Sequence, residues 1–276
     1  MALGTVLITG ASTGIGEATT HHLKELGFDA VGAVRRPEDA ERLRSAGLRT
    51  VTLDVTDLES IAAAGAALGD GRLAGLVNNA GVAVAGPLEF LPLEQLRRQL
   101  EVNLIGQVAV IQRFLASLRA GRGRIVNVSS IGGRVALPLL GAYSMSKFGL
   151  EGMSDSLRRE LRPQGVDVVV IEPGGVKTPI WRKGNELAAD LQAGMPPEAG
   201  RLYGPMIEAL RAETANIERV RGIEPREVAE TIAAALTAKR PRARYLVGRD
   251  AKLRAPMAAV LPDRVLDRLI ARAMRP

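Results

Sequence analysis

The sequence contains no cysteine. That excludes a disulfide framework and any thiolate metal site. Its two histidines, His21 and His22, are adjacent. Neighbouring helix residues point about 100° apart, so this pair is a poor metal clamp and reads as helix surface. No metal is expected. Aromatic residues make up only 3% of the chain, with a single Trp, and no base-reading motif occurs. Nucleic acid is therefore not an expected partner. No apolar run approaches the ~18 residues of a membrane span. The opening "ALGTVLITG" lacks the basic start and cleavage site of a signal peptide and reads as a strand. The expected compartment is cytoplasmic.

What the chain does have is bulk and pattern. Its 276 residues, 46% hydrophobic, suffice for one large α/β domain. Short apolar runs recur: "TVLITG", "AVGAV", "RTVTLDV", "LAGLVNNAG", "RIVNVSS", "VDVVVIEPG" and "ARYLVG". They are near-continuous in Val, Ile and Leu, as expected of parallel strands covered on both faces. Helical patterns lie between them, over residues 14–27, 92–120 and 142–161. The second carries an apolar stripe at Leu93, Leu96, Leu100, Leu104, Val108, Ile111 and Leu115. Strand and helix in alternation predict right-handed crossovers and a doubly wound parallel sheet, a Rossmann fold. The least regular stretch is 179–222, a long insertion between a strand and a helix. The expected organisation is one dinucleotide-binding and catalytic domain over 1–250, including an α-helical lid at 179–222. A basic amphipathic extension follows at 251–276.

"TGASTGIG", Thr9 to Gly16, follows the first strand and opens the first helix. Gly10, Gly14 and Gly16 permit a tight turn and a close backbone approach to a pyrophosphate. The helix start, with Ser12, Thr13 and Ile15, presents free N–H groups to the phosphates. At the end of the second strand, where a carboxylate would bind the ribose hydroxyls of NAD, Val34 is followed by Arg35 and Arg36. Two guanidiniums and no carboxylate favour a ribose 2′-phosphate, hence NADP(H) over NAD(H). The alternative is that the arginines merely begin a loop, with Glu38 or Asp39 competing for them. Asp54 ends the third strand, placed to accept from an adenine amino group, with Val55 beside the ring. In "NNAG", Asn78 and Asn79 are expected to bond neighbouring backbone, while Ala80 and Gly81 leave room for the cofactor.

"GAYSMSKFGLEG" puts Tyr143 and Lys147 on one helix face. Ser130 ends the strand thirteen residues earlier, and Asn103 is an odd polar residue on an apolar helix. The four are expected to converge beside a nicotinamide. A phenol titrates near ~10. A nearby ammonium and a nicotinamide cation both favour phenolate, so Lys147 is expected to lower Tyr143 and make it a general acid or base. Ser130 would position the substrate oxygen, and Asn103 would hold a water that relays protons to Lys147.

This constellation resembles the short-chain dehydrogenase/reductase family. "TGASTGIG", "LDV", "NNAG", Asn103, Ser130, "YSMSK" and "PGGVKT" occur in the family's order over residues 3–250. The Gly-x-x-x-Gly-x-Gly spacing matches the shorter-chain branch and differs from that of the nucleotide-sugar epimerases. The resemblance implies an Asn-Ser-Tyr-Lys tetrad, a homodimer or homotetramer, and contacts from Pro173, Gly174, Val176 and Thr178 to the carboxamide end of the cofactor. "IEPGGVKTPIW" and "RYLVGRDAK" resemble the hydroxysteroid and retinol dehydrogenase side of the family.

The lid is rich in apolar residues: Ile180, Trp181, Leu187, Leu191, Met195, Leu202, Tyr203, Met206, Ile207 and Leu210. Val135, Leu137 and Leu140 add to them. They either form a deep pocket for a bulky apolar ketone or alcohol or simply pack the lid helices together. A 3-oxoacyl thioester reductase and a non-catalytic NADP(H)-binding regulator are the alternatives. The charge of +7 is uneven: residues 239–276 hold eleven Lys or Arg against three Asp or Glu, leaving the remainder at −1. An Arg-rich solvated surface accounts for this, as would an anionic lipid surface or a phosphorylated ligand. In the tail, Val265, Leu266, Leu269, Ile270 and Ala273 share one helix side, with Arg264, Arg268, Arg272 and Arg275 around the other. It would cover the cleft, pack on a subunit or lie on a membrane surface.

Overall fold

The computed structural model describes residues 3–69 and 71–273. Seven parallel strands form one sheet: β1 (Thr5–Thr9), β2 (Asp29–Val34), β3 (Arg49–Thr52), β4 (Leu73–Asn78), β5 (Arg124–Val128), β6 (Asp167–Pro173) and β7 (Arg244–Val247). Their order is β3-β2-β1-β4-β5-β6-β7. All seven apolar runs become strands, as the sequence predicts. The order reverses between β1 and β4, and in such sheets ligands bind in the crevice beyond the carboxyl ends of the strands there.

Alternation along β1 divides the core. Leu7 points to one face, with Phe114 and Leu118 of α5 (Gly106–Gly121) and Leu161 of α6 (Gly141–Leu161). Val6 and Ile8 point to the other, with Leu23 of α1 (Gly14–Glu25) and Val228 and Ile232 of α9 (Pro225–Thr237). Helices α2 (Pro37–Ser45) and α3 (Leu58–Leu68) follow β2 and β3. Side chains cap two of these helices. Asp57 Oδ1 accepts from Glu59 N–H at 2.9 Å ahead of α3, and Glu224 and Glu227 form a capping box on α9. Helix α1 has no side-chain cap.

The expected helix over 92–120 is interrupted. Helix α4 (Leu93–Leu100) runs into a π-helical turn at Glu101–Ile105 before α5 begins. This widened turn rotates the register, so of the anticipated apolar stripe Ile111 is buried while Leu96 and Leu115 are only partly so. Leu93 is exposed, whereas Gln99, Asn103, Gln107, Val110 and Phe114 are buried. Gly106 closes the turn where any Cβ would press on the Val55 carbonyl.

The stretch 179–222, the least regular in sequence, is helical as expected of the lid. It forms α7 (Pro179–Ala193), α8 (Pro197–Asn216) and a π-helical turn at Ile217–Arg221. The backbone closes under it: Lys177 N–H donates to Ile223 O at 3.0 Å and Ile223 N–H to Gly175 O at 3.0 Å. Past β7 come α10 (Arg249–Val260) and α11 (Asp263–Ala273), so position 251 lies inside a helix, and Ala251 is fully buried. In α11, Val265 and Leu269 are partly exposed among Arg264, Arg268 and Arg272. The Ala273 side chain and Arg275 lie outside the described residues. No helix among the described residues is long and apolar enough to cross a membrane.

Candidate active site

A cavity of about 910 Å³ opens at the carboxyl ends of β1 and β4. Gly10, Ser12, Thr13, Gly14 and Ile15 line one end, with Arg35, Asp54 and Val55 beside them. The glycines are required locally. Gly10 and Gly14 adopt φ of +65° and +60°, a left-handed conformation that Cβ-bearing residues rarely take. A Cβ on Gly14 would also stand 2.9 Å from Thr178 Cγ2. Thr13, extended at φ −156°, turns no side chain onto the start of α1. The first N–H groups of that helix thus face the cavity unpaired by a side chain, which is the arrangement a diphosphate needs.

Two residues expected here lie elsewhere. Gly16 does not line the cavity. A Cβ there would collide with the Gly10 carbonyl, so its smallness serves helix-to-strand packing. Arg36 also turns away: its Nε donates to Asp39 Oδ2 at 2.9 Å, one turn along α2. Arg35 lines the cavity with its side chain 67% exposed, and its Nε is 3.9 Å from Asp54 Oδ2. The other Asp54 oxygen is held by Thr56 N–H at 2.9 Å and Thr56 Oγ1 at 2.8 Å.

The wall between β1 and β4 is built by "NNAG". Asn79 Nδ2 donates to Thr9 O at 3.0 Å and Gly10 O at 3.1 Å. Thr9 Oγ1 accepts from Asn79 N–H at 3.0 Å and Ala80 N–H at 3.1 Å. Asn78 departs from expectation, because its partner is a side chain. Its Nδ2 donates to Asn127 Oδ1 at 3.0 Å, and Asn127 Nδ2 donates to Ser154 Oγ on α6 at 2.8 Å. Ala80, Gly81, Pro173, Gly174, Val176 and Thr178 complete this end of the cavity.

Ser130, Tyr143, Lys147 and Asn103 all line the same cavity. Lys147 Nζ donates to Val128 O at 2.9 Å and lies 5.8 Å from the Tyr143 ring centre. Burial lowers Lys147 to about 8, against which Glu151 supports its charge. Burial pushes the Tyr143 phenol up, and the Ser130 hydroxyl beside it pulls the other way. The expected downward shift of Tyr143 is therefore reversed, because desolvation of a buried phenolate outweighs its neighbours. Ser130 Oγ also accepts from Gly132 N–H at 3.0 Å.

Asn103 is spent on the loop after β4. Its Oδ1 accepts from Val82 N–H at 2.9 Å, and its Nδ2 donates to Val82 O at 3.0 Å and Ser146 Oγ at 3.2 Å. Two residues that the sequence reading passed over join it. Gln99 Oε1 accepts from Val84 N–H at 2.7 Å while its Nε2 donates to Val82 O at 2.9 Å. Gln107 Nε2 donates to Ala80 O at 2.9 Å. Their four-residue spacing around Asn103 was the available signal.

Beyond the phenol, Ile180, Trp181 and Leu187 of α7 line the cavity, with Val82, Ala83 and Val84 opposite. The Trp181 ring is 6.4 Å from the Tyr143 ring. The other lid residues divide. Tyr203, Met206, Ile207 and Leu210 of α8 pack on Leu137, Leu139 and Leu140, and Leu191 packs on Leu91. Leu202 is exposed. So the lid helices do pack together, and only part of α7 faces the cavity. Arg97, Arg98 and Lys183 also line the cavity, as do Glu101, Glu186 and Asp190.

The profile of the short chain dehydrogenase family matches residues 4–188. The chain belongs to that family. It is an oxidoreductase of the kind, with the family's seven-stranded parallel sheet. It is 36% identical over 275 residues to an NADPH-dependent 3-dehydrocapnine reductase of Ornithobacterium rhinotracheale, covering 95% of this chain and 94% of that one. Mouse retinol dehydrogenase 5 is 37% identical over 278 residues, covering 96% and 87%. A short chain dehydrogenase from Burkholderia cenocepacia J2315, solved in complex with NADP, superposes with a TM-score of 0.75. It is 27% identical and covers 100% of this chain and 98% of that one.

Proposed function

We propose that this oxidoreductase uses NADP(H) to interconvert a secondary alcohol and a ketone carried on a lipophilic body. The observation that carries this reading is one continuous cavity. It holds an uncapped helix start at one end, the Ser130–Tyr143–Lys147 group in the middle, and the apolar wall of Ile180, Trp181 and Leu187 beyond. The glycine turn and the free N–H groups of α1 fit a dinucleotide diphosphate. Arg35, with no carboxylate ending β2, favours the 2′-phosphate. The names of the reductase relative and of the NADP-bound neighbour agree with that preference.

The cofactor supplies hydride in reduction and accepts it in oxidation. The chain's own residues manage the proton. In reduction the O–H bond of Tyr143 breaks, its proton goes to the substrate oxygen, and phenolate remains near the Lys147 ammonium. Ser130 Oγ donates to the same substrate oxygen and orients it. Burial favours the protonated phenol, the form that acts as acid in reduction, and the phenolate it leaves is the base for the reverse step. Asn103 acts as a positioning residue for the Val82 loop and α6 rather than through its own side chain in proton transfer. Arg97, Arg98 and Lys183, balanced by Glu101, Glu186 and Asp190, give no preference for an ionic substrate; the apolar wall favours a steroid- or retinoid-like one. The decisive experiment follows NADPH oxidation with steroid ketones, retinal and 3-oxoacyl thioesters. Turnover of a bulky apolar ketone supports the proposal. Turnover of thioesters alone would overturn the substrate class.

A homo-oligomer is part of the same reading. Ile105, Met145 and Phe148 stand exposed where the π-helical turn ahead of α5 meets α6, an apolar patch that suits a second copy. Light scattering should find a dimer or tetramer, and Phe148→Glu should shift it towards monomer.

A further inference from the structure

Behind Lys147, away from the cavity, lies a group of buried charges that the proton transfer just described does not use. Glu151 sits one turn further along α6, on the face that carries Tyr143 and Lys147. Its Oε2 accepts from Arg244 Nε at 3.0 Å. Glu172, the penultimate residue of β6 and 1% exposed, lies 3.2 Å from the same Arg244 Nε as an ion pair and accepts from Arg134 Nε at 2.9 Å. Arg244 Nη2 reaches Asp155 Oδ1 at 3.0 Å, and Arg158 shares that carboxylate at 3.0 Å. The Ser129 hydroxyl, adjacent in sequence to the Val128 carbonyl that holds Lys147, and Glu151 Oε1 are both buried without a hydrogen-bond partner among the described residues. Gly133 seals the group: a Cβ there would stand 2.9 Å from Ser129 Oγ and 3.1 Å from Glu151 Cγ.

We propose that Glu151 is a positioning residue that keeps Lys147 in its ammonium form, and that Arg244, from the far strand β7, keeps Glu151 ionised. The inference rests on the hydride-transfer reading only for its consequence, since the charge relation between the two side chains exists without turnover. The chemistry is one of competing terms. Two carboxylates close together, largely removed from water, tend to share a proton. A guanidinium that donates to Glu151 and stands within ion-pair distance of Glu172 offsets their repulsion. Glu151 kept as an anion then supports the charge of Lys147, which burial draws down to about 8. Burial, with Glu172 adding to it, leaves Glu151 above the usual carboxylate range, and Arg244 draws it only part of the way back. The last strand of the fold thereby governs the acid that the phenol depends on, through one intervening carboxylate.

The chain has six lysines, few enough for Lys147 to be followed by NMR of protein labelled at lysine Cε and assigned with Lys147→Arg. Glu151→Gln is expected to lower the Lys147 midpoint by about one pH unit. The alkaline fall of kcat should move to lower pH with it. Arg244→Gln is expected to shift it in the same direction, and Arg244→Lys to restore it. An unmoved midpoint in folded Glu151→Gln protein, with only thermal stability reduced, would overturn the proposal and leave Glu151 a structural tie. Should Glu151→Gln fail to fold, equal midpoints in Arg244→Gln and Arg244→Lys would overturn it too. The NMR readout needs no substrate. A wild type that binds NADPH but reduces nothing would count against the hydride-transfer reading and leave this one standing on its own result.

Discussion

Along α4 and α5, Gln99, Asn103 and Gln107 recur every four residues. Along α6, Tyr143, Lys147, Glu151 and Asp155 do the same. Both sets face inward, yet their partners differ. The three amides bond chiefly to the backbone of residues 80–84, with distances of 2.7 to 3.0 Å. The residues on α6 bond to, or lie against, other ionisable groups and one carbonyl. An amide cannot titrate, so the first set can only fix the shape of the loop that walls the cavity. The second set holds charge states, and burial shifts them in opposite directions, the phenol up and the ammonium down. Identical spacing serves architecture in one helix and chemistry in the other. What separates them is whether the side chain carries a proton it can give away.

Removing one atom from the second set should have the largest effect on rate. Tyr143→Phe is expected to lower kcat by about 10²–10⁴-fold, the usual worth of a positioned acid. NADPH binding and Tm should stay near wild type. A comparable fall in Tm would mean that the phenol is a packing element like the amides. The converse substitution belongs to the first set. Asn103→Leu leaves Val82 N–H without its partner and removes two donated bonds. An expected loss of about 2 kcal/mol lowers Tm by roughly 4–8 °C. Calorimetry checks this, and kcat per folded molecule should fall far less than in Tyr143→Phe. A collapse of kcat at unchanged Tm would put Asn103 among the catalytic groups.

The same contrast explains what could be read from the sequence. Buried parallel strands need continuous apolar runs, so all seven were visible. Tyr143, Lys147, Ser130 and the glycine turn were visible because their chemistry is rare at such spacing. Helix α2 was not, because "PEDAERLRS" is almost wholly polar and is held by Ala40 and Leu43 alone. The π-helical turn at Glu101–Ile105 has no composition of its own. It shifted part of the apolar stripe out of the core and turned Gln99 and Gln107, which the sequence reading passed over, inward. The Glu151–Glu172–Arg244 group joins residues up to 93 apart in the chain, and only the sheet order brings β6 and β7 to α6. The direction of the Tyr143 shift was misjudged for a related reason. A neighbouring ammonium is legible in sequence, but the degree of burial that outweighs it is not.

The smallest contrast lies between two neighbours at the end of β2. Arg35 lines the cavity and leans towards Asp54 at 3.9 Å, too far for a firm bond, so its guanidinium is free to take a phosphate. Arg36 is already engaged with Asp39 at 2.9 Å on the surface, in an exposed pair that solvent screens. Arg35→Asp should weaken NADPH binding by roughly 10–100-fold, the worth of a charge-assisted pair, and NADH binding far less. Arg36→Ala should change neither Kd by more than about two-fold, since losing an exposed pair rarely does. Titration of both cofactors into both variants separates two kinds of selectivity. A loss confined to Arg35 means that the fork of one side chain recognises the 2′-phosphate. Equal losses would mean that the summed field of the two arginines selects the cofactor, and that Arg36 exchanges its Asp39 partner for phosphate when the cofactor binds.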